Sequence, residues 1–254
     1  MWQSDGWDVR ARIGVLTPHA DVGPESELRA MAPPDVGVHA ARVEFGAMGA
    51  GGVMAPTIPL APVLAFVEPP HIDDAVGLLS AAPVAAIGIG FTSSAYADAR
   101  AEERAVDRLR ALGGIPVVAT CPAAVEALSV LGADRIAVFN PPWFDAALDQ
   151  LGVEYFTDQG FDVIAHGSCV LPSNQRNITP LDLYDWLRAH TPDTAEAVFV
   201  GGNGFRTVGV IAALEQHLGR PVLTANQVLL WKLLRTAQVP TSSVRGYGWL
   251  FETS

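Results

Sequence analysis

The chain has 254 residues, with 27 Asp and Glu against 16 Lys and Arg and a formal net charge of −11 at pH 7. That length buries a full core as one large α/β domain or two smaller ones, and an acidic chain without a basic tail excludes a general nucleic-acid binder. Two cysteines, Cys121 and Cys169, exclude a disulfide framework.

Residues 1–12 carry Asp5 and Asp8 and lack the basic-then-apolar order of a secretory signal, so a cytoplasmic location is expected. A first strand is predicted over Arg12–Thr17, leading into the turn Thr17-Pro18-His19-Ala20-Asp21. Here His19 is a candidate for proton transfer and Thr17 for a hydrogen bond to substrate, or both order the loop. Asp21 and Glu25 read as helix-start acids. A second strand is predicted over Val38–Phe45. The apolar stretch from Gly46 to Val67 is broken by three glycines and three prolines, which excludes a membrane span. It reads as a loop over or beside a pocket, suited to a lid or to the interface of a homo-oligomer.

A helix over Pro70–Ser80 and a strand over Val84–Ile89 lead to the turn Gly88-Ile89-Gly90-Phe91-Thr92-Ser93-Ser94-Ala95-Tyr96 and a helix over Ala95–Leu112. Short hydroxyls gathered after an apolar strand, at a helix start, either cap the helix or help its N–H groups bind an anion. Phe91, Thr92 and Ser93 are therefore candidate substrate contacts, and Tyr96 a candidate acid or orienting group. Next come a strand over Ile115–Thr120, a helix over Pro122–Leu131 and a strand over Arg135–Asn140. Cys121, at a helix N-terminus, is a candidate reactive thiol, against the alternative of a small buried residue; Cys169, in the loop of residues 168–174, is read in the same two ways. Asn140 is a candidate polar contact, and Trp143 an aromatic wall beside the substrate or a core cover.

A helix over Trp143–Gln150, a strand over Phe161–His166, a helix over Pro180–His190 and a strand over Ala195–Val200 precede the second polar turn, Gly201-Gly202-Asn203-Gly204-Phe205-Arg206-Thr207. Asn203 offers an amide donor and acceptor, and Arg206 a planar fork matched to a carboxylate; with Gly202 and Gly204 they are candidate substrate contacts. The chain closes on a helix over Thr207–Leu218, a strand over Pro221–Thr224 and a helix over Val228–Leu234. Neither turn is a nucleotide fingerprint: Gly88-x-Gly90 falls late in its lobe, and Arg206-Thr207 lacks the Lys-Ser/Thr ending of a P-loop. The six histidines form no H-x-x-H or H-E-x-x-H pattern, so no metal and no cofactor is expected.

The alternation of strand and helix predicts an α/β fold of two pseudo-symmetric lobes, each with a mostly parallel sheet flanked by helices and with the active site in the interlobe cleft. Residues 1–114 plus 222–254 are assigned to the first lobe and 115–221 to the second. Val15-Leu16-Thr17-Pro18, Phe91-Thr92-Ser93, the helix after Cys121, Asn140-Pro141-Pro142 and Gly202-Asn203-Gly204-Phe205-Arg206-Thr207 occur in an order that resembles the aspartate/glutamate racemase superfamily, in its maleate cis-trans isomerase and arylmalonate decarboxylase branch. The resemblance implies Rossmann-like lobes around an acidic substrate, and cofactor-independent chemistry through a carbanion, an enediolate or a covalent cysteine adduct. It also implies a cysteine in one or both turns. Here those positions look like Phe91 and Gly202, or Gly201 if the turn is shifted, and neither carries a thiol. The expectation is a lyase or isomerase of a small mono- or dicarboxylate that does not use the usual cysteines, against the alternative of a noncatalytic carboxylate binder.

Overall fold

The computed structural model describes residues 5–253, so residues 1–4 of the stretch read for a leader lie outside it. The first part of the chain runs β1 (Ala11–Pro18), α1 (Gly23–Met31), β2 (Val36–Val43), two short strands β3 (Met48–Gly49) and β4 (Val53–Met54), α2 (Leu60–Phe66), α3 (His71–Ser80), β5 (Ala86–Ile89), α4 (Ser93–Gly113), β6 (Val117–Ala119) and α5 (Thr120–Val130). It continues through β7 (Arg135–Asn140), α6 (Ala146–Asp158), β8 (Asp162–Ser168), α7 (Pro180–His190), β9 (Ala197–Val200), α8 (Ile211–Leu218), β10 (Val222–Thr224) and α9 (Ala225–Thr236).

Two parallel four-stranded sheets result, ordered β2-β1-β5-β6 and β10-β9-β7-β8. β5 and β9 are buried along their whole length, as expected for central parallel strands covered by helices on both faces. Numbered within each lobe, the strand order is the same, 2-1-3-4, and each polar turn follows the third strand. The Gly90 N–H donates to Leu16 O at 2.9 Å, and the Gly201 N–H to Phe139 O at 2.8 Å, so the two turns leave their sheets in the same way. The turns after β1 and β7 also match: the Asp21 N–H donates to Pro18 O and the Phe144 N–H to Pro141 O, both at 3.0 Å.

Three local features differ from the sequence reading. Residues 46–67 are not all loop, because β3 and β4 pair antiparallel and α2 follows. Pro62 sits in the first turn of α2, where an N–H has no intrahelical acceptor to lose. α6 starts at Ala146 rather than Trp143, since the Asp145 side chain accepts the Leu148 N–H at 2.9 Å and fixes the cap there. Strand membership also crosses the assigned lobe limits: β6 pairs with β5 in the first sheet, and β10 with β9 in the second. Each closes the crossover begun by the helix before it. α9 then packs against α1, α5 and β5, covering the first sheet with a helix from the end of the chain.

Candidate active site

The two polar turns meet. Thr92 Oγ1 donates to Asn203 Oδ1 at 2.7 Å and accepts the Gly202 N–H at 3.0 Å. Asn203 Nδ2 donates to Thr120 Oγ1 at 3.1 Å and to Asn226 Oδ1 at 2.9 Å. Asn226 Nδ2 in turn donates to Asn203 O at 2.8 Å and to Glu27 Oε2 at 2.7 Å, while Glu27 Oε1 accepts the Thr207 N–H at 2.6 Å and the Val208 N–H at 3.1 Å. Residues of α1, α5, α9 and both turns thus form one buried polar network, and the Asn203 side chain is fully committed within it. Burial pushes the Glu27 carboxyl up to about 7, against the opposing hydrogen bonds from Asn226, Val208 and Thr207.

Beside this network lies a cavity of about 30 Å³, lined by Phe91, Thr92 and Ser93 from the first turn, by Gly202, Asn203 and Gly204 from the second, and by Asp21, Trp143 and Phe144 among others. Phe45, and Met48, Met54 and Ile58 from the segment read as a lid, cover it with apolar surface. The N–H groups of Phe91, Thr92, Ser93, Asn203 and Gly204 find no acceptor among the described residues, which leaves donors from both turns for anionic oxygen.

Asp21 is the ionisable side chain in this lining. Its Oδ1 accepts the Gly23 N–H at 2.7 Å, and Arg42 donates to its backbone carbonyl. Burial pushes the carboxyl up to about 6, partly offset by the Gly23 N–H, the neighbouring Gln175 amide and the Arg42 charge. Gln175 lines the cavity too, and its buried Nε2 has no partner of ordinary hydrogen-bond geometry. Gly204 lies between them: a Cβ there would run into Gln175 Nε2 and come within 2.6 Å of Asp21 Oδ2.

The other sequence candidates sit outside the cavity lining. Thr17 is fully buried with an unpartnered hydroxyl. His19 is exposed, and its Nδ1 accepts the Phe45 N–H at 3.2 Å, anchoring the start of the covering segment. Tyr96 and Asn140 belong to a chain behind the second turn. In it the Tyr96 hydroxyl donates to Asn140 Oδ1 at 3.4 Å, Asn140 Nδ2 donates to Asp149 Oδ1 at 2.8 Å, and Asp149 Oδ2 lies 2.6 Å from His166 Nδ1. Burial drives the Tyr96 hydroxyl well above its ordinary range. Cys121 donates to Thr92 O at 3.3 Å, and burial pushes its thiol up; desolvation outweighs the helix start that the sequence reading credited with forming a thiolate. Cys169 is buried and shifted upward for the same reason. Arg206 is exposed and lines a second, outer cavity. Among the described residues no group of three or more His, Cys, Asp or Glu is placed to hold a metal ion.

Asp21 and Gln175 are the residues that sequence reasoning passed over. The available signal for Asp21 was its place just past the end of β1, the same sheet edge from which the turn after β5 projects. Nothing in the loop sequence marks Gln175.

Phe91 stacks on Phe66 with ring centroids 4.0 Å apart and meets Phe45 edge-on at 5.0 Å. Gly202 has φ +83°, and a Cβ on it would lie 2.6 Å from Pro141 Cγ. Phe91 thus belongs to an aromatic stack, and Gly202 to a backbone with no room for a side chain.

The fold is that of solved maleate isomerases and of arylmalonate decarboxylase. A cysteine-to-alanine variant of the maleate isomerase Iso from Pseudomonas putida S16, crystallised with maleate, superposes with a TM-score of 0.83 at 20% identity, over 96% of this chain and 98% of its own. Arylmalonate decarboxylase superposes with a TM-score of 0.72 at 19% identity, over 96% of this chain and 100% of its own. A maleate isomerase from Geobacillus stearothermophilus is 26% identical over 132 residues, 51% of this chain, and the match spans about half of that relative's length, 52%. The arylmalonate decarboxylase family model matches residues 33–251, which takes in the whole second lobe and the first lobe from β2 onward, with β1 and α1 ahead of it. The chain belongs to the arylmalonate decarboxylase family.

Proposed function

We propose that this protein is a cofactor-independent lyase or isomerase of small carboxylates, that proton transfer is performed by Asp21 and not by a cysteine, and that decarboxylation of a malonate-type acid is its reaction. The observation that carries this reading is the Asp21 carboxyl, buried in the cavity wall that both polar turns share and raised to about 6. In this reading one substrate carboxylate takes hydrogen bonds from the turn N–H groups around Phe91–Ser93 and Asn203–Gly204. The carboxylate that leaves faces Met48, Met54 and Ile58, and these covering side chains draw back to admit it, because the cavity of about 30 Å³ holds one carboxylate. An apolar wall disfavours that charge and favours neutral carbon dioxide. As the C–C bond breaks, its electron pair passes to the substrate carbon and the retained carboxylate as an enediolate, whose negative charge the N–H donors stabilise. Protonated Asp21 delivers its proton to that carbon, and solvent reprotonates it. A single acid suffices for this sequence, whereas racemisation uses a base on each side.

The missing thiols at Phe91 and Gly202 favour a second reading, a carboxylate-binding protein without turnover. Both are tested by incubating purified protein with small malonates and other carboxylates in D₂O without added cofactor, following product and deuterium at each carbon by NMR. Turnover with deuterium incorporation that Asp21→Asn abolishes supports the enzyme; saturable binding with neither product nor exchange selects the binder.

A further inference from the structure

The inner cavity is small for a whole substrate. A water needs roughly 10–15 Å³ of such space, so about 30 Å³ is filled by the one carboxylate held on the turn N–H groups, and the rest of an acid extends past it. A second cavity of about 550 Å³ lies next to it, and Gln175 and Gly204 line both. The outer cavity carries Arg176 and Arg206, whose guanidinium groups make no hydrogen bond or ion pair among the described residues, together with Ser26, Tyr247 and the one carboxyl Glu27, which burial favours in its neutral form. Two unpaired guanidiniums near one opening of a protein with net charge −11 form a local positive site against the overall field. The fork of each matches a carboxylate or phosphate. The Gln175 amide divides the compartments: it lies against Gly204, which brings no side chain of its own, and among the described residues its buried Nε2 has no partner of ordinary hydrogen-bond geometry, so turning this one side chain joins them.

We infer that the outer cavity is a second subsite, which binds a distal anionic group of an elongated acid against Arg176 and Arg206 while the reacting end occupies the inner cavity. The inference rests on the inner cavity being the reacting site proposed above, and it adds the substrate class: an acid with anionic groups at both ends, the chain between them passing Gln175 and Gly204. Arg176 and Arg206 then set specificity and take no part in the proton transfer.

The test is a calorimetric titration of the full chain with linear monocarboxylates and α,ω-dicarboxylates of matched and increasing length. The expected result is a step in affinity of about tenfold in favour of the diacid, once it is long enough to reach the arginines. In the Arg176→Gln/Arg206→Gln double variant the diacid-to-monoacid ratio falls to about one at every length. Both side chains are exposed, so circular dichroism is expected to show the variant folded. Diacids that bind no tighter than monoacids of equal length, or a double variant that keeps the step, overturn the inference. Deuterium exchange in the same samples separates it from the reaction reading: exchange lost in Asp21→Asn, with no arginine-dependent step, leaves the reaction standing and removes the subsite. An arginine-dependent step without exchange upholds the subsite and removes the reaction.

Discussion

Thr92 and Asn203 occupy the same position in the two lobes, third after the last residue of the third strand, and they hydrogen-bond to each other across the interface at 2.7 Å. The repeated turn is therefore also the fastening between lobes. Asn203→Ala would leave Asn226 Oδ1 without its donor in a buried place, at about 1–3 kcal/mol for a group left unsatisfied, and would take one bond each from Thr92 Oγ1, which keeps the Gly202 N–H, and Thr120 Oγ1, which still donates to Ile89 O. Urea unfolding is expected to show a loss of about 2–4 kcal/mol for Asn203→Ala and less for Thr92→Ser, which keeps the hydroxyl; an unchanged midpoint for both would remove the network from the account of stability.

Glu27 gives this fastening a pH dependence. Its folded-state pKa of about 7 stands above its ordinary 4.5, so between these values the folded chain holds a proton that the unfolded chain has released. The corresponding stability is fully present below 4.5 and is lost as pH rises through about 7. Denaturation midpoints measured across this window should fall with rising pH, and Glu27→Gln should flatten the fall. Equal slopes in the two proteins would mean that the other raised carboxyls, Asp21, Glu102 and Glu215, dominate.

For the reaction, an acid that must be protonated to act predicts a kcat/KM that is level below about 6 and drops about tenfold per pH unit above it. A profile that instead rises through this range would assign Asp21 the role of base.

The two thiols should be bystanders. Both are buried and pushed toward the protonated form, so iodoacetamide on the native protein should leave turnover intact, and Cys121→Ser should retain activity within about threefold. Rapid inactivation protected by a carboxylate ligand would restore a cysteine mechanism.

Returning a family-like thiol to the second turn should fail for steric reasons. Gly202→Cys sets a Cβ 2.6 Å from Pro141 Cγ on a backbone at φ +83°, and a loss of about 1–3 kcal/mol is expected even for Gly202→Ala. Wild-type thermal stability in either variant would show that the Pro141 turn yields.

The strand–helix alternation and both polar turns were legible because each strand is a short apolar run and each turn carries its own glycines. The sheet to which β6 and β10 belong was not, since pairing partners are set by crossover geometry and not by composition. The reading of Asn203 as substrate-facing followed from its chemistry alone; its partners Thr120 and Asn226 are remote in sequence and only the fold brings them to it. Asp21 passed as a helix-start acid because what raises its pKa is burial by distant segments, and no local pattern announces that.

The equivalence of the turns after β1 and β7 has one more result. Asp21 and Phe144 occupy matching places, each with its N–H bonded to a proline carbonyl at 3.0 Å, and both line the inner cavity. The scaffold is two-fold in plan, but its acid is single: a carboxyl stands on one side and a phenyl ring on the other. In the proposed reaction a planar enediolate between them would take its proton from one face, and a prochiral carbon would leave this site as a single enantiomer.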